Sequence, residues 1–189
     1  MKKINILLIV FAIGIISCKN KTKETKTMEY KTTETTVMAP KKVEIVLNAK
    51  SESNANGLVV FTEEDGKVSM TANISGLDAG VHAIHLHEKA DCSSDNGTSA
   101  GGHWNPTAQP HGKWGDAAGY HKGDIGNFTA DENGNGTVTF STDEWCIGCN
   151  DTSKNILNKS VIVHAEADDF TSQPSGDAGS RVSCAGIIQ

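Results

Sequence analysis

Aromatic side chains make up only 5% of the 189 residues, and no long stretch follows the 3.6-residue apolar period of a helix. That favours short strands joined by turns over a helical bundle. No apolar run reaches the roughly 20 residues that a membrane-spanning helix needs. Basic side chains are scarce where the chain folds: from Val43 to Gln189, eight Lys and Arg stand against twenty Asp and Glu, a net of −12. Nucleic acid is excluded as a partner on that count, because phosphate binding needs basic patches. An acidic surface of this kind keeps an exported protein soluble. Histidine is missing from the first 81 residues.

What is there points to one β-rich domain with appendages. Glycine is frequent, at 19 residues, and apolar residues alternate with polar ones over short runs, so short strands joined by turns are expected. All seven histidines fall between His82 and His164. Scatter would not confine them so; a site would.

The amino-terminal segment reads as an address. Lys2 and Lys3 precede the apolar run Ile4 to Ile16 and then Ser17-Cys18, the pattern of an export signal. Ile15-Ile16-Ser17-Cys18 resembles the lipobox of bacterial lipoproteins, in which the cysteine becomes the lipidated terminus. Residues 1–17 are accordingly expected to be a signal peptide, with Cys18 lipidated. Between Lys19 and Lys42, seven Lys stand against three Glu with almost no apolar side chains, so residues 18–40 should form a flexible tether. Residues 41–189 remain as the folded domain. The expected location is the bacterial cell envelope, periplasmic or outer surface, with the membrane reached through Cys18.

Val43, Ile45 and Leu47 alternate with polar residues and open the first strand. Gly57–Thr62 and Lys67–Ile74 follow around the turn Glu64-Asp65-Gly66. Next comes Val81-His82-Ala83-Ile84-His85-Leu86-His87-Glu88. On a strand, alternate residues share a face, so Ala83, His85 and His87 point one way and His82, Ile84 and Leu86 the other. Two imidazoles on one rigid face start a copper or zinc site, and His82 reads as a buried structural histidine. The Gly-, Ser- and Asn-rich segment from Lys89 to Gly123 has little strand pattern, and a loop that long in a compact domain is usually functional. Gly126–Ala130, Gly136–Ser141, Lys159–Ala165 and Arg181–Ile188 complete eight short strands, an all-β antiparallel barrel or sandwich.

The long segment adds His103, His111 and His121, with Asp124 three residues on, and the penultimate strand adds His164. Six histidines and a carboxylate exceed one tetrahedral site. Two metals, or one metal and several structural histidines, satisfy the count.

At these residues the chain resembles the copper/zinc superoxide dismutase family. The resemblance rests on Gly80–His87, Ser99–Pro106, His121–Asn127, Val163–Asp169 and Gly179–Cys184, five motifs in order over roughly Val43 to Gln189. It implies an eight-stranded Greek-key β-barrel with long metal-binding and active-site loops. It implies copper held by His85, His87, His103 and His164, and a structural zinc held by His103, His111, His121 and Asp124. Asp168 matches the carboxylate that orients one ligand of each metal. Arg181 matches the arginine that docks the anion beside copper, with His103 also carrying a proton. The implied reaction is disproportionation of superoxide to oxygen and hydrogen peroxide by copper redox cycling.

Among the five cysteines, Cys92 and Cys184 match the family's intrachain disulfide. Cys146-Ile147-Gly148-Cys149 lies outside the common pattern; a C-x-x-C can be a redox pair, a metal site or a local disulfide, and a local disulfide is expected. The segment between His164 and Arg181 lacks the Glu-Glu and Lys cluster credited with steering in eukaryotic members; Lys113 and Lys122 are the candidates to replace it. The rebuilt region around Ile147-Gly148 leaves monomer and homodimer both open. The rival to an enzyme is a copper and zinc scavenger or donor built on the same scaffold.

Overall fold

The computed structural model describes residues 39–189. The signal peptide, Cys18 and nearly all of the expected tether lie outside the described residues.

Eight strands form in chain order: β1 (Lys41–Ala49), β2 (Asn56–Glu64), β3 (Lys67–Ser75), β4 (Gly80–His87), β5 (Gly126–Ala130), β6 (Gly136–Thr142), β7 (Ser160–His164) and β8 (Arg181–Gly186). One helical turn, Thr98–Ala100, interrupts the long loop. The strands are ordered β5-β4-β7-β8-β1-β2-β3-β6, and every ladder is antiparallel. β5 and β6, the two ends of that order, lie against each other and nearly close the barrel. The expected all-β Greek-key barrel is the observed fold, and all eight expected strands form.

Local chemistry explains the elements. β2 and β3 join through Asp65-Gly66 with Glu64 opposite Lys67. Both turn residues have positive φ, 49° and 77°, as a two-residue turn matched to strand twist requires. Val43, Ile45 and Leu47 on β1, Val59 and Phe61 on β2, and Val68, Met70, Ala72 and Ile74 on β3 fill the interior. Their polar neighbours on those strands face outward.

β4 breaks this pattern in a way that positions the site. From His82 to His87 every residue is buried, not every second one. Ile84 and Leu86 enter the core, while the face carrying Ala83, His85 and His87 is covered by the long loop. β7 is buried along its whole length for the same reason, with Ile162 under a small satellite cluster of Ala100 and Cys184.

Two disulfides are formed. Cys92–Cys184 ties the long loop to β8, with Cα atoms 5.8 Å apart and a separation of 92 positions in sequence. Closing a ring of that size contributes about 4–5 kcal/mol through the unfolded state's lost entropy. Cys146–Cys149 closes only a local ring.

Candidate metal centre

Each imidazole is delivered by a definable piece of structure. β4 supplies His85 and His87, and β7, paired to it with Ile84 opposite Val163, ends on His164. β5 pairs with β4 only as far as Ile84, which frees the rest of that edge. The long loop occupies it. Trp104 N–H donates to Leu86 C=O at 2.8 Å, Glu88 N–H to Gly102 C=O at 3.0 Å, and Leu86 N–H to Gly123 C=O at 2.9 Å. His103 is thereby set opposite His87 as an isolated antiparallel bridge.

Two ligand groups result. His85, His87, His103 and His164 bring one donor atom each within 4.8 Å of one another, and so do His103, His111, His121 and Asp124. All seven residues are buried, and His103 belongs to both groups. His82 joins neither; its ring nitrogens lie 2.9 Å from the His164 carbonyl and 2.8 Å from that of Asp78.

The hydrogen bonds show which ring atoms are left for a cation. His85 Nε2–H donates to Asp168 Oδ2 and His111 Nε2–H to Asp168 Oδ1, each at 2.9 Å. His87 Nδ1–H donates to Gly101 C=O at 2.9 Å, and His164 Nδ1 faces Gly179 C=O at 3.4 Å. Those partners fix the ring orientations and turn the opposite nitrogens toward the cluster. His85 Nδ1 and His103 Nε2 are buried with no hydrogen-bond partner, while His111 Nδ1 and His121 Nδ1 lie 3.0 and 3.2 Å from the Asp124 carboxylate. His87 Nε2 and His164 Nε2 face each other at 3.4 Å. Buried orphan nitrogens are costly unless a cation occupies the space between them. The donor set fits two ions: an all-imidazole site suited to copper, and a His and carboxylate site suited to zinc.

Electrostatics follow the same division. Burial holds His87 and His164 well below an ordinary imidazole, and the neighbouring histidines add to the effect. Burial lowers His103 to about 4 despite its bond to Asp124. His111 is the exception. Burial opposes its charge, but it lies between Asp124 and Asp168, and their hydrogen bonds raise it to about 9. Asp124 is held far below the carboxylate range, because hydrogen bonds from three histidines and the His121 amide outweigh its desolvation. Hydrogen bonds from His111 and His85 likewise keep Asp168 low against its burial.

A cleft of about 380 Å³ opens over His87, His103, His164 and Arg181. Arg181 is the one arginine in the sequence. It is half-buried at the start of β8, and its guanidinium donates to Gly97 C=O at 2.7 Å. Gly97 lies in the loop that the Cys92–Cys184 disulfide holds, so that bond also steadies the arginine. Glu88 is the acidic side chain among the cleft's lining residues. The expected substitutes for a steering cluster do not line this cleft: Lys122 pairs with Glu144 instead, and Lys113 is solvent-exposed.

Several supporting residues carry no signal in the sequence. Asn127 brackets Asp168, donating to its carbonyl and accepting from its amide, both at 2.8 Å. Gln173 does the same for His111 at 2.9 Å in each direction. Around His121, Glu144 accepts from Tyr120 Oη at 2.7 Å and from Lys122 Nζ. Trp145 Nε1–H donates to Lys122 C=O at 2.8 Å. These pairings join residues from 22 to 62 positions apart, and only the fold brings them together.

An eight-stranded Greek-key barrel, two buried ligand groups that share a histidine, and an arginine beside the all-imidazole group define a class of barrel metalloprotein. The sequence profile of a family described as copper/zinc superoxide dismutase (SODC) matches residues 55–187. The chain is also similar to a solved structure titled as a crystal structure analysis of the clock protein EA4. That similarity has 33% identity and a TM-score of 0.67, and covers 80% of this chain and 97% of the other. The chain belongs to the copper/zinc superoxide dismutase family, whose members are oxidoreductases.

Proposed function

We propose that this protein converts two superoxide anions and two protons to oxygen and hydrogen peroxide in the cleft beneath Arg181, and does so as an exported protein anchored through Cys18. The observation that carries the reading is the pair of ligand groups joined at His103, with their unpartnered nitrogens turned inward. His85, His87, His103 and His164 would hold copper, and His103, His111, His121 and Asp124 would hold zinc. Bound copper would supply the one-electron chemistry by alternating between two oxidation states, while zinc, which has no redox chemistry, would fix the loop.

The chain's own residues do the rest. Arg181 places a permanent positive charge at the cleft and binds the anion by charge-assisted hydrogen bonds. Its bond to Gly97 holds the guanidinium before substrate arrives, so little ordering cost remains. His103 Nε2 faces the cleft group with no protein partner, so it is the ring atom that would carry a proton to departing product. Asp168 holds His85 and His111 in the ring orientations that turn Nδ1 toward the ligand groups. Since the folded part is strongly acidic, anion capture depends on this local field.

The test is superoxide dismutation by residues 39–189 loaded with copper and zinc, beside Arg181→Ala and His164→Ala. Copper-dependent turnover is expected, falling about tenfold or more in Arg181→Ala, with its inverse dependence on salt reduced. Stable binding of both metals with negligible turnover would move the assignment to metal handling. For the anchor, incorporation of a labelled fatty acid into the wild type and none into Cys18→Ala is the expected result.

A further inference from the structure

The disulfide Cys146–Cys149 belongs to neither ligand group and sits in the connection between β6 and β7. Its tetrapeptide is fastened from outside the ring. Ile147 N–H donates to Glu63 Oε2 at 2.7 Å, and Ile147 C=O accepts from Lys41 Nζ at 2.8 Å. Asn155 holds the far side, accepting from Gly148 N–H and donating to Cys149 C=O, both at 3.0 Å. Cys146 N–H donates to Lys154 C=O at 2.8 Å, and its carbonyl accepts from Ile156 N–H at 3.0 Å. None of these bonds passes through sulfur. Opening the disulfide leaves the backbone held and the two sulfurs side by side.

The two disulfides of the domain differ in what they contribute to the fold. By chain entropy, losing the four-residue ring shifts the unfolding equilibrium by about twentyfold, against about two thousandfold for the ring closed by Cys92–Cys184. Access alone does not separate them: each joins a buried cysteine, Cys184 or Cys146, to a partly exposed one, Cys92 or Cys149, so the difference lies in what opening each bond does to the fold.

We propose that Cys146–Cys149 is a thiol–disulfide exchange site, opened and re-closed by a dithiol partner while the barrel and its metal centre stay folded. A thiolate of the partner attacks Cys149 Sγ, the more exposed sulfur. A mixed disulfide forms, and Cys146 leaves as a thiolate that takes up a proton. The partner's second thiol then attacks its own sulfur in the mixed disulfide and releases Cys149, which is protonated in turn. The pair gains two electrons and two protons, and the dithiol becomes a disulfide. The reverse sequence restores the starting bond.

The experiment treats the full chain, loaded with copper and zinc, with reduced thioredoxin as the protein dithiol. Free thiols are alkylated at intervals and located by peptide mass spectrometry, with circular dichroism and metal content followed in parallel. The expected result is alkylation of Cys146 and Cys149 with Cys92–Cys184 still joined, and with the β-sheet signal and both metals retained. Oxidised thioredoxin should then re-close the pair. A denaturant titration of the product should show the shift of about twentyfold given above. Equal reaction of both disulfides, or opening accompanied by loss of sheet signal or metal, would overturn the proposal. The Cys146→Ser/Cys149→Ser double variant keeps the stability argument separate from partner chemistry: it should retain both metals, and a loss near two thousandfold would overturn it.

Discussion

Asp168 binds His85 through one carboxylate oxygen and His111 through the other, each at 2.9 Å, and so links the two ligand groups from behind. Asn127 on its backbone and Phe170 N–H on Oδ1 hold the carboxylate in place. Asparagine in its place could accept from only one of the two imidazoles. Asp168→Asn should therefore weaken binding of both metals by about 10- to 100-fold, since outer partners of ligating histidines typically have that effect. Chelator competition on the metal-free protein measures it, with circular dichroism as the check that the barrel persists.

Between its two carboxylates, His111 is protonated near neutral pH when no metal is present, having been raised to about 9. A cation that takes its Nδ1 must displace that proton. Zinc loading at pH 7.5 should release about one proton from this residue. Calorimetry in two buffers of different ionisation enthalpy reads the release. It should fall in Asp168→Asn, which removes one of the charges that holds the proton.

The pH dependence of the metal-free fold has two limbs of opposite sign. His103 sits at about 4 in the fold against 6.5 when exposed, and His87 and His164 are lowered too, so the unfolded chain binds more protons as pH falls through that window. Stability therefore drops from pH 6.5 toward 4. The contribution of His111 is fully present below 6.5 and is lost as pH rises through about 9. Urea midpoints should thus be highest near neutral pH and lower at both pH 4.5 and pH 9.5. Saturating zinc should flatten the alkaline limb.

Gly176 has φ +70° and sits directly against Asp168, and a Cβ there would also come 2.6 Å from His111 Nε2. Neither neighbour can yield without breaking the link between the two groups. Gly176→Ala should cost about 1–3 kcal/mol in the metal-free protein from the backbone conformation alone, and weaken zinc further. Gly115, also at positive φ but open to solvent, is the control: its alanine variant should show the backbone effect without the zinc effect.

Glu144 ties together the residues on either side of His121, with Tyr120 on one oxygen and Lys122 on the other. Removing it frees the flanks of His121, a proposed zinc ligand, but touches nothing near His85, His87 or His164. Glu144→Ala should weaken zinc by about tenfold and leave copper binding unchanged. Separate chelator titrations for the two metals provide the measurement.

The strands were legible because period-2 alternation survives in a single sequence. Ala83, His85 and His87 fall on one side of β4 and Ile84 and Leu86 on the other, as alternation alone requires. The ligand groups were legible only through motif resemblance, since nothing in the spacing of His103, His111 and His121 says that a loop folds back along β4. The supporting layer was not legible. Asn127, Gln173 and Glu144 are ordinary polar residues whose role comes from partners far along the chain. The two lysines nominated for steering lie off the cleft for the same reason: charge is visible in a sequence, but direction is not.

β4 is buried on both faces, and that gives the barrel interior a reporter. Ile84 and Leu86 press on the core while His85 and His87, one residue away along the same rigid backbone, set the donor positions. A methyl group removed from the core and a fraction of an ångström in ligand geometry are thus two readings of one displacement. The electronic spectrum of copper bound there would act as a strain gauge for packing on the opposite side of the strand.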